Sequence, residues 1–264
     1  YIPDRKKEGY GPSVDAFKKL ISKGVKLIFT VDCGTLSFEA MEYANLNNID
    51  VIVLDHHQSE IKLPKAHSVV NPNRIDDKSN LNYLCAAGVT FMFLVSLNKE
   101  LRSKNWFNEK KISEPNLIDY LDLVALGTIC DVVPLIGLNR AIVKQGLKIL
   151  SSKKNLGIKT LLDVCEVVNH PNVYDIGYLL GPRINAGGRV GKSSHGANLL
   201  LNKNPKDVYK IAFELNEFNK ERQLLEKDVL KKILKVIENN LSDPVLIVSG
   251  NGWHEGVIGI AAAR

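Results

Sequence analysis

The chain has 264 residues, 45% of them hydrophobic and 24% charged. This composition excludes a disordered polymer and suffices for one large domain or two ordinary ones. Lys and Arg outnumber Asp and Glu by 35 to 29, and the net charge of +6 favours an anionic partner without reaching histone-like basicity.

The longest apolar stretch, Cys85 to Leu97, is too short to span a bilayer and contains Thr90 and Ser96, so no membrane association is expected. Four dispersed cysteines, Cys33, Cys85, Cys130 and Cys165, form no C-x-x-C pair. They read as reduced core thiols of a cytoplasmic protein. Tyr1 at the start and an apolar run from Val257 to Ala263 without a stop signal predict a fragment of a longer chain.

Val14 to Ser22 carries apolar residues at helical spacing, and Val25 to Val31 is a β-rich run ending in Asp32-Cys33-Gly34. Ser37 to Leu46 predicts a helix. Val51 to Leu54 predicts a buried strand ending at Asp55-His56-His57, and Ser68 to Val70 a third strand stopped by Asn71-Pro72. Alternation of this kind, with nearly continuous apolar strands, predicts an α/β fold with a parallel sheet covered by helices. Ligands in such folds bind at the carboxyl ends of the strands. Asp32 and Asp55-His56-His57 are therefore expected on one rim.

Helices are predicted over Ala86 to Arg102 and Leu117 to Leu126, the second running into Gly127 to Leu135, and then over Arg140 to Leu150, Lys159 to Val168 and Val173 to Leu180. A Gly-rich loop, Gly181 to Gly191, is expected next. Pro205 to Asn240 predicts one long polar helix with Pro at its start, suited to a strut between domains. Val245 to Val248 predicts a strand that opens a second domain. The expected division is 1–203 for the first domain, 204–242 for the connecting helix and 243–264 for the start of a second α/β domain.

Two adjacent histidines after an aspartate at a strand end suit a metal or a phosphate better than a core, because buried polar groups need partners. Asp32 ends the preceding strand and belongs beside them. Asp131, between Ile129-Cys130 and Val132-Val133, is a third candidate, since an unpaired carboxylate in apolar surroundings is costly. Mixed carboxylate and imidazole ligation suits manganese or magnesium. Cys33 and Cys130 flank two of the candidates and keep zinc as an alternative. Two divalent ions would clamp the attacking and leaving oxygens of a phosphodiester. They need more anionic ligands than Asp32, His56 and Asp131, which predicts further carboxylates upstream of residue 1.

Gly181-Pro182-Arg183-Ile184-Asn185-Ala186-Gly187-Gly188-Arg189 offers backbone that can approach a phosphate and two guanidinium groups to grip it. The overlapping run Ala186 to Ser193 fits a relaxed P-loop pattern. It lacks the preceding central strand that such a loop requires, because Pro182 interrupts it. Trp253-His254-Glu255-Gly256 predicts a turn into a helix whose start could hold an anion. Arg5, in a polar Gly-rich loop, could contact phosphate.

Together these segments resemble the DHH phosphoesterase superfamily and, within it, the RecJ exonuclease family. The resemblance is carried by Y-I-P-D-R-K-K-E-G-Y-G at 1–11, V-D-C-G at 31–34, L-D-H-H at 54–57, L-G-T-I-C-D-V-V-P-L at 126–135, G-P-R-I-N-A-G-G-R at 181–189 and W-H-E-G-V-I-G-I at 253–260. It implies metal ligation by Asp32, His56, His57 and Asp131, with His57 and Asp55 at the catalytic centre. It implies contact with nucleic acid or phosphate by Arg5, Arg183, Asn185, Arg189, His254 and Gly256.

The implied activity is digestion of single-stranded DNA from its 5′ end to 5′-mononucleotides, with Mn²⁺ or Mg²⁺ in a two-metal site, in recombination and repair. A monomer, with a helicase or a single-strand-binding protein as partner, goes with that expectation. Two readings stand beside it: a DHH-family phosphodiesterase of small oligonucleotides or dinucleotides, and a DNA-binding scaffold that has lost catalysis. The superfamily's first Asp-rich motif, its later phosphate-binding motif and an oligonucleotide-binding barrel are absent from the sequence.

Overall fold

Three parallel strands, β1 (Leu27–Val31), β2 (Asp50–Leu54) and β3 (Ser68–Val70), form a sheet in the order β1-β2-β3. Their register sets Val31 opposite Leu54 and Leu54 opposite Val70. The three strands therefore finish level, and the residues that follow them, Asp32, Asp55 and Asn71, share one rim. The computed structural model describes residues 1–152, 154–237 and 245–263, without the side chains of Arg5 and Lys6.

The chain divides into two compact units, one built mainly from Lys6–Lys154 with His170–Gly177, the other from Asn155–Asn169 and Tyr178–Arg264. In the first, α1 (Arg5–Glu8) and α2 (Val14–Ile21) precede β1, and α3 (Phe38–Leu46) links β1 to β2. Ser13 caps α2 by accepting from the Ala16 N–H at 3.1 Å, a common device for satisfying a helix's free donors. Phe17, Met41, Ala44, Val51 and Val53 close the core between these helices and the sheet. Each is almost wholly buried, which contributes on the order of 1.5–3 kcal/mol for each of the larger side chains.

α4 (Ala86–Ser103), α5 (Trp106–Lys110), a 3₁₀ turn over Leu117–Tyr120, α6 (Leu121–Cys130) and α7 (Gly137–Ser151) complete this unit. α6 packs against both α4 and α7. A Cβ added at Gly127 would stand 2.7 Å from the Ala87 Cβ, so the glycine is what lets α6 lie directly on α4. The helix expected over Leu117 to Leu126 thus starts later and ends later. Its last turn delivers Asp131.

In the second unit α8 (Leu156–Val164), α9 (Gly181–Val190), α10 (His195–Leu201) and α12 (Glu255–Ala262) pack along the 33-residue α11 (Pro205–Ile237). The segment Gly181 to Val190, expected as a loop, is a helix. A π-helical turn over Asp175–Leu180 runs straight into it, and Pro182 occupies its first turn, where no N–H is needed. A Cβ at Gly187 would meet Leu215 Cδ2 at 3.0 Å, so packing against α11 outweighs the low helix propensity of glycine.

Val245 to Val248, expected as a strand, is irregular, with Val245, Leu246 and Ile247 exposed. A strand exists only by pairing, and no neighbouring strand lies beside it among the described residues. The end of the predicted long helix, Glu238 to Asn240, and the expected boundary at Asp243 lie outside the described residues. Among the described residues no helix is long and apolar enough to cross a membrane.

Candidate metal centre

The rim of the sheet carries the twin histidines, and the end of α6 faces them. His56 Nε2 lies 3.2 Å from Asp32 Oδ1 and 3.5 Å from Asp131 Oδ2. It is a buried nitrogen without a hydrogen-bond partner. Ligand atoms of Asp32, His56 and His57 lie within 4.8 Å of one another.

Each position has a local cause. Asp32 follows β1 in the left-handed region, φ +60, and its N–H donates to the Leu54 carbonyl at 3.0 Å. That backbone conformation turns its carboxylate out of the strand; Asp tolerates it better than most residues. Gly34, at φ +114, then takes a turn in which a Cβ would press to 2.5 Å from Thr30 Oγ1. Only glycine satisfies both demands. Asp131 caps α6 at its C-terminus, with its N–H donating to the Gly127 carbonyl at 3.0 Å. Its side chain is half-exposed rather than enclosed, and the neighbouring Val132 is 88% exposed.

Asp55 works beneath this cluster. It is 1% exposed. Its Oδ2 accepts from the Thr35 N–H at 3.0 Å, and its Oδ1 accepts from the His56 N–H at 2.8 Å and lies 2.7 Å from His57 Nδ1. Burial pushes its carboxyl up, but the hydrogen bonds from the Thr35 side chain, His57 and the two backbone N–H groups outweigh it and hold the group at about 2. A charged Asp55 fixes Nδ1 of His57 as the protonated nitrogen and leaves Nε2 outward.

Asn71 donates from Nδ2 to Thr35 Oγ1 at 2.9 Å and to the His57 carbonyl at 2.8 Å. Asn73 donates to the His56 carbonyl. The Tyr10 hydroxyl lies 2.8 Å from the Asp32 carbonyl, to which it donates, and 3.2 Å from His57 Nε2. Tyr10, Thr35, Asn71 and Asn73 are absent from the sequence expectation. Two of them had a signal there: Tyr10 lies in the segment at 1–11, and Asn71 is the polar residue ending the third strand.

The electrostatics favour a cation. Asp32 and then Asp131 raise His56 against the opposing effect of burial. Burial raises the Asp131 carboxyl, His56 opposes this and Asp32 adds to it. Asp131 also stands at the negative end of a helix dipole. Two carboxylates and the Nε2 of His56 thus converge, and a hard divalent ion fits that donor set. The flanking thiols do not join it. Cys33 Sγ donates to the Val31 carbonyl at 3.3 Å, and burial, with Asp55 and Asp32, pushes it up to about 11. Burial likewise pushes Cys130 up to about 11. A thiolate zinc site is therefore disfavoured.

The residues expected on nucleic acid fall in the second unit. Because Gly181–Val190 is helical, its N–H groups are used within the helix and offer no backbone cradle to a phosphate. Asn185 and Arg189, four apart, share a face of α9. Arg183 is tied down: Nε donates to Asn216 Oδ1 at 2.9 Å and Nη1 to the Leu179 carbonyl at 2.8 Å. Arg189 Nη1 donates to the Gly256 carbonyl at 3.0 Å, and His254 Nδ1 caps α12 by accepting from the Gly256 N–H at 3.1 Å. The side chain of Arg5 lies outside the described residues.

Residues 1–128 match the DHH family, N-terminal domain. Over its whole length the chain is 38% identical to the single-stranded-DNA-specific exonuclease RecJ of Salmonella typhimurium, covering 47% of that protein. It is 33% identical to the RecJ of Bacillus subtilis, covering 32%. The chain spans about half the length, or less, of the curated relatives it matches. A crystal structure of exonuclease RecJ bound to manganese superposes with a TM-score of 0.84 at 31% identity, over all of this chain and 64% of that one. RecJ from Thermus thermophilus in complex with Mn²⁺ gives 0.80 at 30% identity, over 96% of this chain and 36% of that one.

Proposed function

We propose, from the match of residues 1–128 to the DHH family, N-terminal domain, that the full protein is a metal-dependent, single-stranded-DNA-specific 5′-to-3′ exonuclease of the RecJ type. The observation that carries this reading is the orphaned Nε2 of His56 between the carboxylates of Asp32 and Asp131. RecJ-type relatives over the whole chain support the substrate class. Structures of relatives with manganese support Mn²⁺, or Mg²⁺ in its place, as the cofactor.

Asp32, His56 and Asp131 would hold the ion, with His57 beside them. When bound, such ions would supply Lewis-acid activation of water and charge neutralisation on a phosphodiester. The chain's own residues do the rest. Asp55 stays charged and orients His57 through Nδ1, so that Nε2 faces the reacting phosphate. Asn71 and Asn73 hold the carbonyls of the two histidines, which fixes the backbone that carries both rings. Tyr10 holds the Asp32 backbone.

Residues 1–203 form the phosphoesterase domain in this reading, 204–242 the connecting helix and 243–264 the start of a DNA-binding domain. Arg5, Arg183, Asn185, Arg189, His254 and Gly256 serve the nucleic-acid contact. Single-stranded DNA is the substrate, the cytoplasm the location, and recombination and repair the setting, with a monomeric enzyme working beside a helicase or a single-strand-binding protein.

Digestion of end-labelled single strands, duplexes and dinucleotides by the full protein, with Mn²⁺ and with a chelator, tests the proposal. Metal-dependent release of 5′-mononucleotides from single strands is expected. A strong preference for dinucleotides would instead identify a small-oligonucleotide phosphodiesterase. Absence of manganese binding at the rim would indicate a scaffold.

A further inference from the structure

Asp131 is the one candidate ligand that the sheet does not carry. It follows the last turn of α6, and residues 131–136 beyond that turn are neither helix nor strand. Val132 in this segment is exposed, with φ +56. Core packing at Val132 therefore cannot fix the carboxylate.

Asn139, fully buried in the first turn of α7, supplies what is missing. Its Nδ2 donates to the Pro134 carbonyl at 2.9 Å and to the Tyr83 carbonyl at 2.7 Å, while its Oδ1 is buried with no partner. Turning the amide over would set Oδ1 against two carbonyl oxygens, so its orientation is forced. An unpaired buried oxygen costs stability that an apolar side chain of similar size would spare. What the position gains is two donors aimed at two separate stretches of backbone. The Tyr83 hydroxyl closes the other side. It accepts from the Leu138 N–H at 3.3 Å, and a Cβ on Gly137 would stand 2.6 Å from it.

We propose that Asn139 is a positioning residue for the metal centre, which, by tying the Pro134 carbonyl to Tyr83, keeps the short tether from α6 taut and the Asp131 carboxylate opposite His56. The proposal rests on the reading of Asp32, His56 and Asp131 as a metal centre.

The test is manganese affinity, measured by titration of the full protein with Mn²⁺ alone, well below the unfolding temperature. Asn139→Ser, with folding verified by circular dichroism, is expected to weaken Mn²⁺ binding tenfold or more, as loss of an outer partner of a metal site does. A merely structural Asn139 would lower the melting temperature and leave affinity in the folded variant within twofold of wild type, and that result overturns the proposal.

Should Asn139→Ser not fold, Val132→Gly decides. It slackens the same tether at an exposed position without touching the core. A threefold or greater weakening supports the proposal, and unchanged affinity overturns it. Failure of the wild-type protein to bind manganese would remove the metal-centre reading itself. That outcome is distinct from wild-type binding that neither variant disturbs.

Discussion

His56 Nε2 and Asp131 Oδ2 face each other across 3.5 Å without a hydrogen bond, and that gap joins the sheet rim to the end of α6. Asp131 is held there against burial and against Asp32. Asp131→Asn therefore has two opposite consequences. Removing one of two crowded carboxylates raises the melting temperature of the metal-free protein. Removing a hard anionic donor weakens Mn²⁺ binding by at least about tenfold, consistent with the ion's preference for charged oxygen ligands. Thermal unfolding of the metal-free proteins checks the first arm and calorimetric titration with Mn²⁺ the second, and a variant that binds as tightly as wild type would take Asp131 out of the centre.

Tyr10 offers a cleaner perturbation. Its ring is 69% exposed, and its hydroxyl contacts both Asp32 and His57. Tyr10→Phe is expected to leave stability within about 0.5 kcal/mol of wild type, as exposed substitutions usually do. It frees the Asp32 carbonyl from its donor and lowers kcat on single-stranded DNA several-fold with little change in KM. Equal kcat values for the two proteins would mean that the hydroxyl has no part in placing Asp32.

Two buried aspartates titrate with opposite sign. The Asp55 carboxyl is held at about 2, below its ordinary value of 3.8. It therefore contributes stability above the unfolded value, which is lost as pH falls through the folded one. The shift corresponds to roughly 2 kcal/mol. Asp55→Asn is expected to be less stable than wild type by about that amount at pH 7, with the difference closing between about pH 4 and 2. Asp122, in the first turn of α6, is raised by burial against the Leu123 N–H that donates to it. Its penalty is absent below the unfolded pKa and grows as pH rises through the folded one. Asp122→Asn should stabilise the protein at neutral pH and not in acid. Urea unfolding of both variants across pH reads the two trends, and parallel curves would refute the assignment.

Asp32, Asp55, His56 and His57 were legible in the sequence because β-runs of nearly unbroken apolar residues end at them, and parallel strands bring such ends level. Asp131 stood out as a lone carboxylate among apolar neighbours, although the reason it matters is a helix end rather than an apolar enclosure. The residues that orient these groups were not legible. Thr35 acts on the Asp55 carboxylate, and Asn73 and Asn139 act on backbone carbonyls, all brought near by the fold, and hydrogen bonds of that kind leave no spacing pattern in the chain; Asn71 showed only as the residue that ends the third strand. Gly181 to Val190 misled for a different reason. Glycine and proline weigh against a helix locally, whereas contact with Leu215 on α11 rewards the absent side chain at Gly187.

Val132 shows strain stored beside the centre. A β-branched residue at φ +56 is disfavoured by about 1–2 kcal/mol relative to ordinary helical or extended backbone, and its exposed side chain gains little burial in return. Asn adopts the same backbone region readily. Val132→Asn is therefore expected to raise stability by about 1 kcal/mol, seen as a higher urea midpoint with an unchanged slope. The backbone path from Asp131 to Pro134 stays as it is, so Mn²⁺ affinity should not move, in contrast to Val132→Gly, which adds freedom to that path. A midpoint equal to or below that of wild type would show that no strain resides at Val132.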